Sequence, residues 1–139
     1  YRPTRCDEAP FFFNKVTVHE MAINWKKIGM VIFAIVIAAF FIAAGLSKVM
    51  QPEDHTESFV RWGYPAWFVY FTGVVELCGA GLLLVPRVRL YGVMLLGVTM
   101  IAAALTHFQA DEMAAVPVPL VLLVLVGALG FFHWKRSGQ

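Results

Sequence analysis

The chain has 139 residues, of which 60% are hydrophobic and only 14% charged, and its mean hydropathy is +0.72. A soluble domain of this size carries nearer a quarter charged residues, so a water-soluble globule is excluded. Eleven Lys and Arg against nine Asp and Glu leave a formal net charge of +2, too small a surplus to make nucleic acid a partner.

The first residue is Tyr rather than Met, so the natural start is expected upstream. Tyr1–Asn24 mixes charges, Pro3, Pro10 and a short apolar stretch, Phe11–Phe13. It is too short and broken to span a bilayer and shows no signal-peptide pattern. Residues 1–25 read as a cytoplasmic tail docked on the membrane surface or on a partner, with a partial interfacial helix as the alternative.

Four apolar runs follow: Ile28–Val49, Ala66–Val85, Leu90–His107 and Val116–Trp134. Each is roughly 20 residues, which at 1.5 Å per residue fits a hydrocarbon core of about 30 Å. A soluble bundle would show a polar stripe on each helix, and a β-barrel would show short alternating strands. Neither pattern is present. The expectation is an all-α polytopic membrane protein, a four-transmembrane-helix bundle over residues 26–139.

The first run ends at Met50, with Pro52 as a stop. The loop Gln51–Gly63 is acidic, then aromatic, and Trp62, Tyr64 and Trp67 mark a membrane interface. Pro65 suits the opening of the second run. The turn Pro86–Arg89 is short enough to make runs two and three antiparallel neighbours. Pro117 and Pro119 open the fourth run, where a missing amide costs no intrahelical bond.

Lys26, Lys27, Arg87, Arg89, Lys135 and Arg136 fall at one end of the expected bundle. Glu53, Asp54, Glu57, Asp111 and Glu112 fall at the other, with Lys48 and Arg61. The positive-inside rule makes both termini cytoplasmic and the membrane the cell inner (cytoplasmic) membrane. Cys6 in the tail and Cys78 in the second run are poorly placed for a disulfide. No CxxC occurs to support a thiol relay.

One carboxylate, Glu76, interrupts the second run, where an ionisable group costs roughly 2.5–3.5 kcal/mol at a helix centre. Thr72, Gly73, Glu76, Gly79 and Ala80 share a helical face, so Glu76 points into the bundle. The third run offers Thr99, Ala103, Thr106 and His107, and the first offers Ala44, Gly45, Ser47 and Lys48. A polar pocket floored by Glu76 and rimmed by Lys48, Thr106 and His107 is the economical arrangement. Structural alternatives stand beside it. Glu76 could be a neutral carboxyl bonded to a backbone carbonyl or to Thr99, or the partner of Lys48. Lys48 could be a snorkelling interfacial residue and His107 an interfacial histidine. No metal site or bis-histidine haem is supported, because His107 and His133 lie at opposite depths and His55 is in a loop.

The residues Ala44-Gly45-Leu46-Ser47-Lys48, Trp62-Gly63-Tyr64-Pro65, Gly73-Val74-Val75-Glu76-Leu77 with Gly81, and Ala103-Ala104-Leu105-Thr106-His107 resemble the DoxX-like membrane proteins. The resemblance covers Lys27 to Trp134. It implies a compact four-helix membrane protein and carries Lys48, Glu76 and His107 over as candidate site residues. Namesakes of the family are small subunits of a thiosulfate:quinone oxidoreductase, and others are tied to membrane redox complexes.

Nothing in the chain itself supplies a flavin, haem or cysteine pair. The leading expectation is therefore an auxiliary subunit among other membrane protein subunits, in an electron-transfer assembly. The alternative is a quinone-reactive oxidoreductase subunit, with a quinone or a lipid bound beside Glu76 and proton exchange at Glu76 or His107. A small-solute or lipid transporter ranks third, since no internal repeat is apparent.

Overall fold

A computed structural model describes residues 9–138, with side chains from Trp25 onward. Its helices are α1 (Ala9–Met50), α2 (Glu53–Arg61), α3 (Phe68–Leu84), α4 (Arg89–Gln109) and α5 (Pro117–Ser137). No strand occurs among the described residues. Three stretches are long and apolar enough to cross a membrane: Trp25–Met50 within α1, then α4 and α5. Helix α3 is also apolar but has 17 residues, a rise of about 26 Å.

Helix α3 is shorter than the expected 66–85 for local reasons. Pro65–Trp67 forms a turn that precedes the helix, with Phe68 N–H bonded to Pro65 O. At the far end Val85 is extended, because the ring of Pro86 disfavours helical backbone in the residue before it. Helix α1 is continuous from Ala9 into the first span, so no helix end marks residue 25. Cys6 lies outside the described residues, as do the Phe11–Phe13 side chains on which the docking reading rests.

Helix α1 packs along α3, α3 along α4 and α4 along α5, while α1 and α5 meet over a shorter stretch. In α1 the buried positions are Ala34, Ile37, Ala38, Phe41 and Gly45, a stripe at helical spacing. Its other face exposes Val31, Ile32, Ile35 and Val36, and α5 likewise exposes Val121 and Val124. A soluble monomer does not present such faces; a bilayer accepts them. Small residues bring the backbones together. A Cβ at Gly92 of α4 would lie 2.9 Å from the Gly79 carbonyl of α3. Around that crossing Leu83, Leu96, Val126 and Leu129 form a fully buried apolar plug.

Arg89, read from sequence as a loop charge, is instead only 2% exposed. Its Nε donates to Leu83 O at 2.7 Å and so satisfies one of the carbonyls left free at the end of α3.

Candidate functional site

The glycine contact between α1 and α3 is reciprocal. A Cβ at Gly45 would fall 2.8 Å from Gly73 O, and one at Gly73 would fall 2.9 Å from Gly45 O. Three residues beyond each glycine stand Lys48 and Glu76. The helices run antiparallel, and side chains lean toward their own helix N-terminus. Lys48 therefore leans inward along α1 while Glu76, at the middle of α3, leans toward it. Nζ of Lys48 donates to both carboxylate oxygens, at 2.8 and 3.0 Å. Glu76 is 5% exposed.

Of the structural alternatives for Glu76, this geometry selects the Lys48 pair; Thr99 bonds elsewhere. The pairing accounts for a charge at membrane depth. Two desolvated ions compensate one another, and removing one would strand its partner at a cost of about 3–5 kcal/mol.

Above this pair, toward α2, lies a cavity of about 650 Å³. All six sequence-selected residues line it: Lys48, Thr72, Glu76, Thr99, Thr106 and His107. Thr72 donates to Val69 O at 2.9 Å and Thr99 to Leu95 O at 2.8 Å. Thr106 donates to Ala102 O and is bonded at 2.9 Å to the Tyr64 hydroxyl. These hydroxyl hydrogens are thus committed to nearby groups. Two of the three N–H groups of Lys48 go to Glu76. The third has no partner among the described residues and is the strongest donor left for a guest.

The remaining wall is apolar, with a large aromatic share. Phe41, Phe59, Trp62, Tyr64, Phe68 and Phe71 all face the cavity. Tyr64 and Phe68 stack at 4.8 Å with an 11° interplanar angle, and Phe68 stacks on Phe71 at 5.3 Å. Helix α5 contributes Val118, Pro119 and Leu122.

Helix α2 closes the end of this space, and the sequence reading missed it by treating 51–63 as loop. Its start carries Glu53 and Asp54 and its last turn Arg61, as the helix dipole favours. Its C-terminus is a Schellman motif. Gly63 N–H bonds to Val60 O, Tyr64 N–H bonds to Phe59 O, and Gly63 takes a φ of 88°. That turn explains the Trp62-Gly63-Tyr64-Pro65 motif: it swings Tyr64 back against Phe59 and toward Thr106.

Helix α4 ends the same way. Asp111 N–H bonds to Phe108 O and Glu112 N–H to His107 O, with Asp111 at φ 62°. The apolar contact that usually joins the two ends of this motif is replaced by a bond from His107 Nδ1 to Glu112 Oε2 at 2.9 Å. Glu112 also accepts from Arg61 at 2.9 Å and from Trp62 Nε1 at 3.3 Å. The His107 and Trp62 hydrogen bonds, with the nearby Arg61 charge, hold the Glu112 carboxyl below the usual carboxylate range. On the far side Ser47 Oγ and His55 Nε2 are bonded at 2.6 Å. The α2 cap is therefore fastened at three points: to α1 by His55, to α4 by Tyr64, and to the α4–α5 loop through Glu112.

His107 lines the cavity, but its Nδ1 is used by the cap and Nε2 is its remaining polar atom. Sequence reasoning missed His55, Tyr64 and Glu112. Gly63 and the Pro52 stop before two acidic residues were the signals that α2 was there.

A helical chain with lipid-compatible faces and an inward-facing polar pair defines a polytopic membrane protein. The chain belongs to the DoxX-like family, whose profile matches residues 32–129. It is also similar to the uncharacterized protein YdgD of Bacillus subtilis (strain 168), at 36% identity over 44 residues. That similarity covers 32% of this chain and 39% of YdgD, so the chain spans about two fifths of that relative. No solved structure matches the chain.

Proposed function

We propose that this protein is a four-span subunit of an inner-membrane electron-transfer assembly, and that its cavity holds a quinone-type ring over the Lys48–Glu76 pair. The observation that carries this reading is the union, in one cavity, of stacked aromatic side chains and a single cation–carboxylate pair. A volume of about 650 Å³ falls within the range of small-molecule sites, which are mostly apolar with few polar groups. A planar ring packs against Phe68 and Phe71. A carbonyl oxygen on that ring accepts the third N–H of Lys48, which Glu76 holds in place. Electrons for any redox change come from a partner subunit of the assembly.

The topology has helix α3 as a fourth span. Pro65–Trp67 extends it toward the headgroups, and Trp67 and Tyr64 suit that depth. Both termini and the Arg87–Arg89 turn face the cytoplasm under the positive-inside rule, with α2 on the opposite side.

The test is a titration of the full chain in lipid nanodiscs with a short-tailed naphthoquinone, followed by tryptophan emission. Trp62 lines the cavity, so saturable quenching is expected, and a Trp62→Phe variant removes most of it. Ala103→Phe fills the cavity and abolishes saturation while the protein stays folded. Linear, non-saturating quenching that Ala103→Phe leaves unchanged contradicts the proposal.

A further inference from the structure

The end of the bundle opposite α2 carries a second concavity. A groove of about 720 Å³ lies between α1 and α5, lined by Lys26, Gly29, Met30 and Phe33 on one side and by Phe132, Lys135 and Arg136 on the other. It is separated from the α2-end cavity by the apolar plug and shares no lining residue with it.

The order of the lining residues is the same on both helices. On α1, Lys26 stands at the bundle end, with Met30 about 6 Å and Phe33 about 10 Å deeper at 1.5 Å per residue. On α5, Phe132 lies about 5 Å deeper than Lys135 and Arg136. Cations thus crown an apolar slot that runs into the bilayer. Between residues 25 and 138 every acidic side chain belongs to α2, Glu76 or the α4–α5 loop, so no carboxylate of that stretch answers these charges. Gly29, with nothing within 4 Å of where its Cβ would be, leaves the α1 wall open.

We propose that this groove is a binding site for an anionic phospholipid. Lys26, Lys135 and Arg136 receive the phosphodiester headgroup. Met30, Phe33 and Phe132 receive the upper part of an acyl chain. Charge complementarity sets the occupant's head and the apolar slot below sets its tail. A zwitterionic lipid brings its own cation and loses the attraction. A free anion has nothing to place in the slot. Basic residues at a membrane surface each strengthen the hold on acidic lipid by roughly fivefold.

The test uses the delipidated full chain in mild detergent and native mass spectrometry, with dioleoylphosphatidylglycerol or dioleoylphosphatidylcholine added at equal concentration. One retained phosphatidylglycerol per chain is expected, held at least about tenfold more tightly than phosphatidylcholine. The triple variant Lys26→Gln/Lys135→Gln/Arg136→Gln should lose that preference. These positions are at the surface or half-buried, and circular dichroism checks that the fold is kept. Arg136→Gln alone should weaken binding by about fivefold. Arg87→Gln, at the same end but outside the groove, should leave it unchanged. Equal retention of the two lipids overturns the site, and so does an equal loss from Arg87→Gln. Displacement by inorganic phosphate at the lipid's own concentration also overturns it, because the slot would then contribute nothing.

Discussion

The two halves of this bundle are built from the same helices on opposite plans. At the Arg87 end, α3 and α4 meet at Gly79 and Gly92, and Leu83, Leu96, Val126 and Leu129 are fully buried in a plug inward of the α1–α5 groove. At the α2 end the helices surround a cavity; α1 and α3 still touch at Gly45 and Gly73, and the remaining ties are polar: Lys48 with Glu76, Tyr64 with Thr106, and Arg61, Trp62 and His107 with Glu112. One half derives its stability from close packing. The other keeps one close glycine contact and is otherwise tied by a few directed bonds, which leaves room to admit a guest. Lipid tails are as apolar as leucine, so packing and polar contacts rather than water exclusion decide how each half holds.

The contrast breaks most visibly at the charge pair. Glu76→Leu alone strands Lys48 and should lower stability by about 3–5 kcal/mol in detergent denaturation. Replacing both residues, as Lys48→Met with Glu76→Leu, should recover most of that loss, because an apolar pair of similar volume is a tolerable substitute for a buried ion pair. A double variant as unstable as the single one would mean the pair is a pillar of the fold.

Next in size is the plug. Leu96→Ala opens a void beside Gly79 and should cost about 2–4 kcal/mol, while naphthoquinone quenching of Trp62 changes little. Ala103→Phe in the α2 half should do the reverse, with a small stability change and lost saturation. If both variants moved both readouts together, the halves would not be separable.

The apolar runs, the inward carboxylate and the six lining residues were legible in the sequence because each rests on local physics. Hydrophobic length, the cost of an isolated charge in lipid and helical spacing all act within one segment. What sequence concealed depends on distant partners. Helix α2 is short, with Phe59 and Val60 its apolar residues, so no apolar run announces it. Glu112 sits in a loop, and only the meeting of α2 with the α4 terminus makes it an anchor. Arg89 looked like a loop charge because nothing local says that the end of α3 needs a donor. The α5 share of the cavity, Val118, Pro119 and Leu122, is apolar and indistinguishable from lipid-facing residues.

The two Schellman turns sharpen the comparison on a finer scale. Gly63→Ala places a Cβ at φ 88° and should cost about 1 kcal/mol while loosening the α2 cap. Asp111 holds φ 62° without being glycine, so Asp111→Gly should be neutral or stabilising by up to about 1 kcal/mol. Thermal midpoints in detergent check both, and opposite signs to these would show that the turns are not held by backbone conformation.

The smallest effect is set by pH. Glu112 is held below its ordinary carboxylate range in the folded chain, so its contribution is complete above the unfolded value of about 4.3. It is lost as pH falls through the lower, folded value. The protection of the α2 amides against hydrogen exchange, relative to their intrinsic rates, should therefore fall in acid below about pH 4, and Glu112→Gln should lower it at neutral pH and flatten that dependence. An acid response that survives Glu112→Gln would assign it to other groups.

The most direct test is the naphthoquinone affinity of the Lys48→Met/Glu76→Leu protein in nanodiscs, once its thermal midpoint is shown to be near that of the natural chain. A loss of at least about tenfold is expected, since a charge-assisted hydrogen bond to the ring oxygen is removed while the aromatic walls remain. Undiminished affinity in that folded variant would mean the buried pair serves the helices alone.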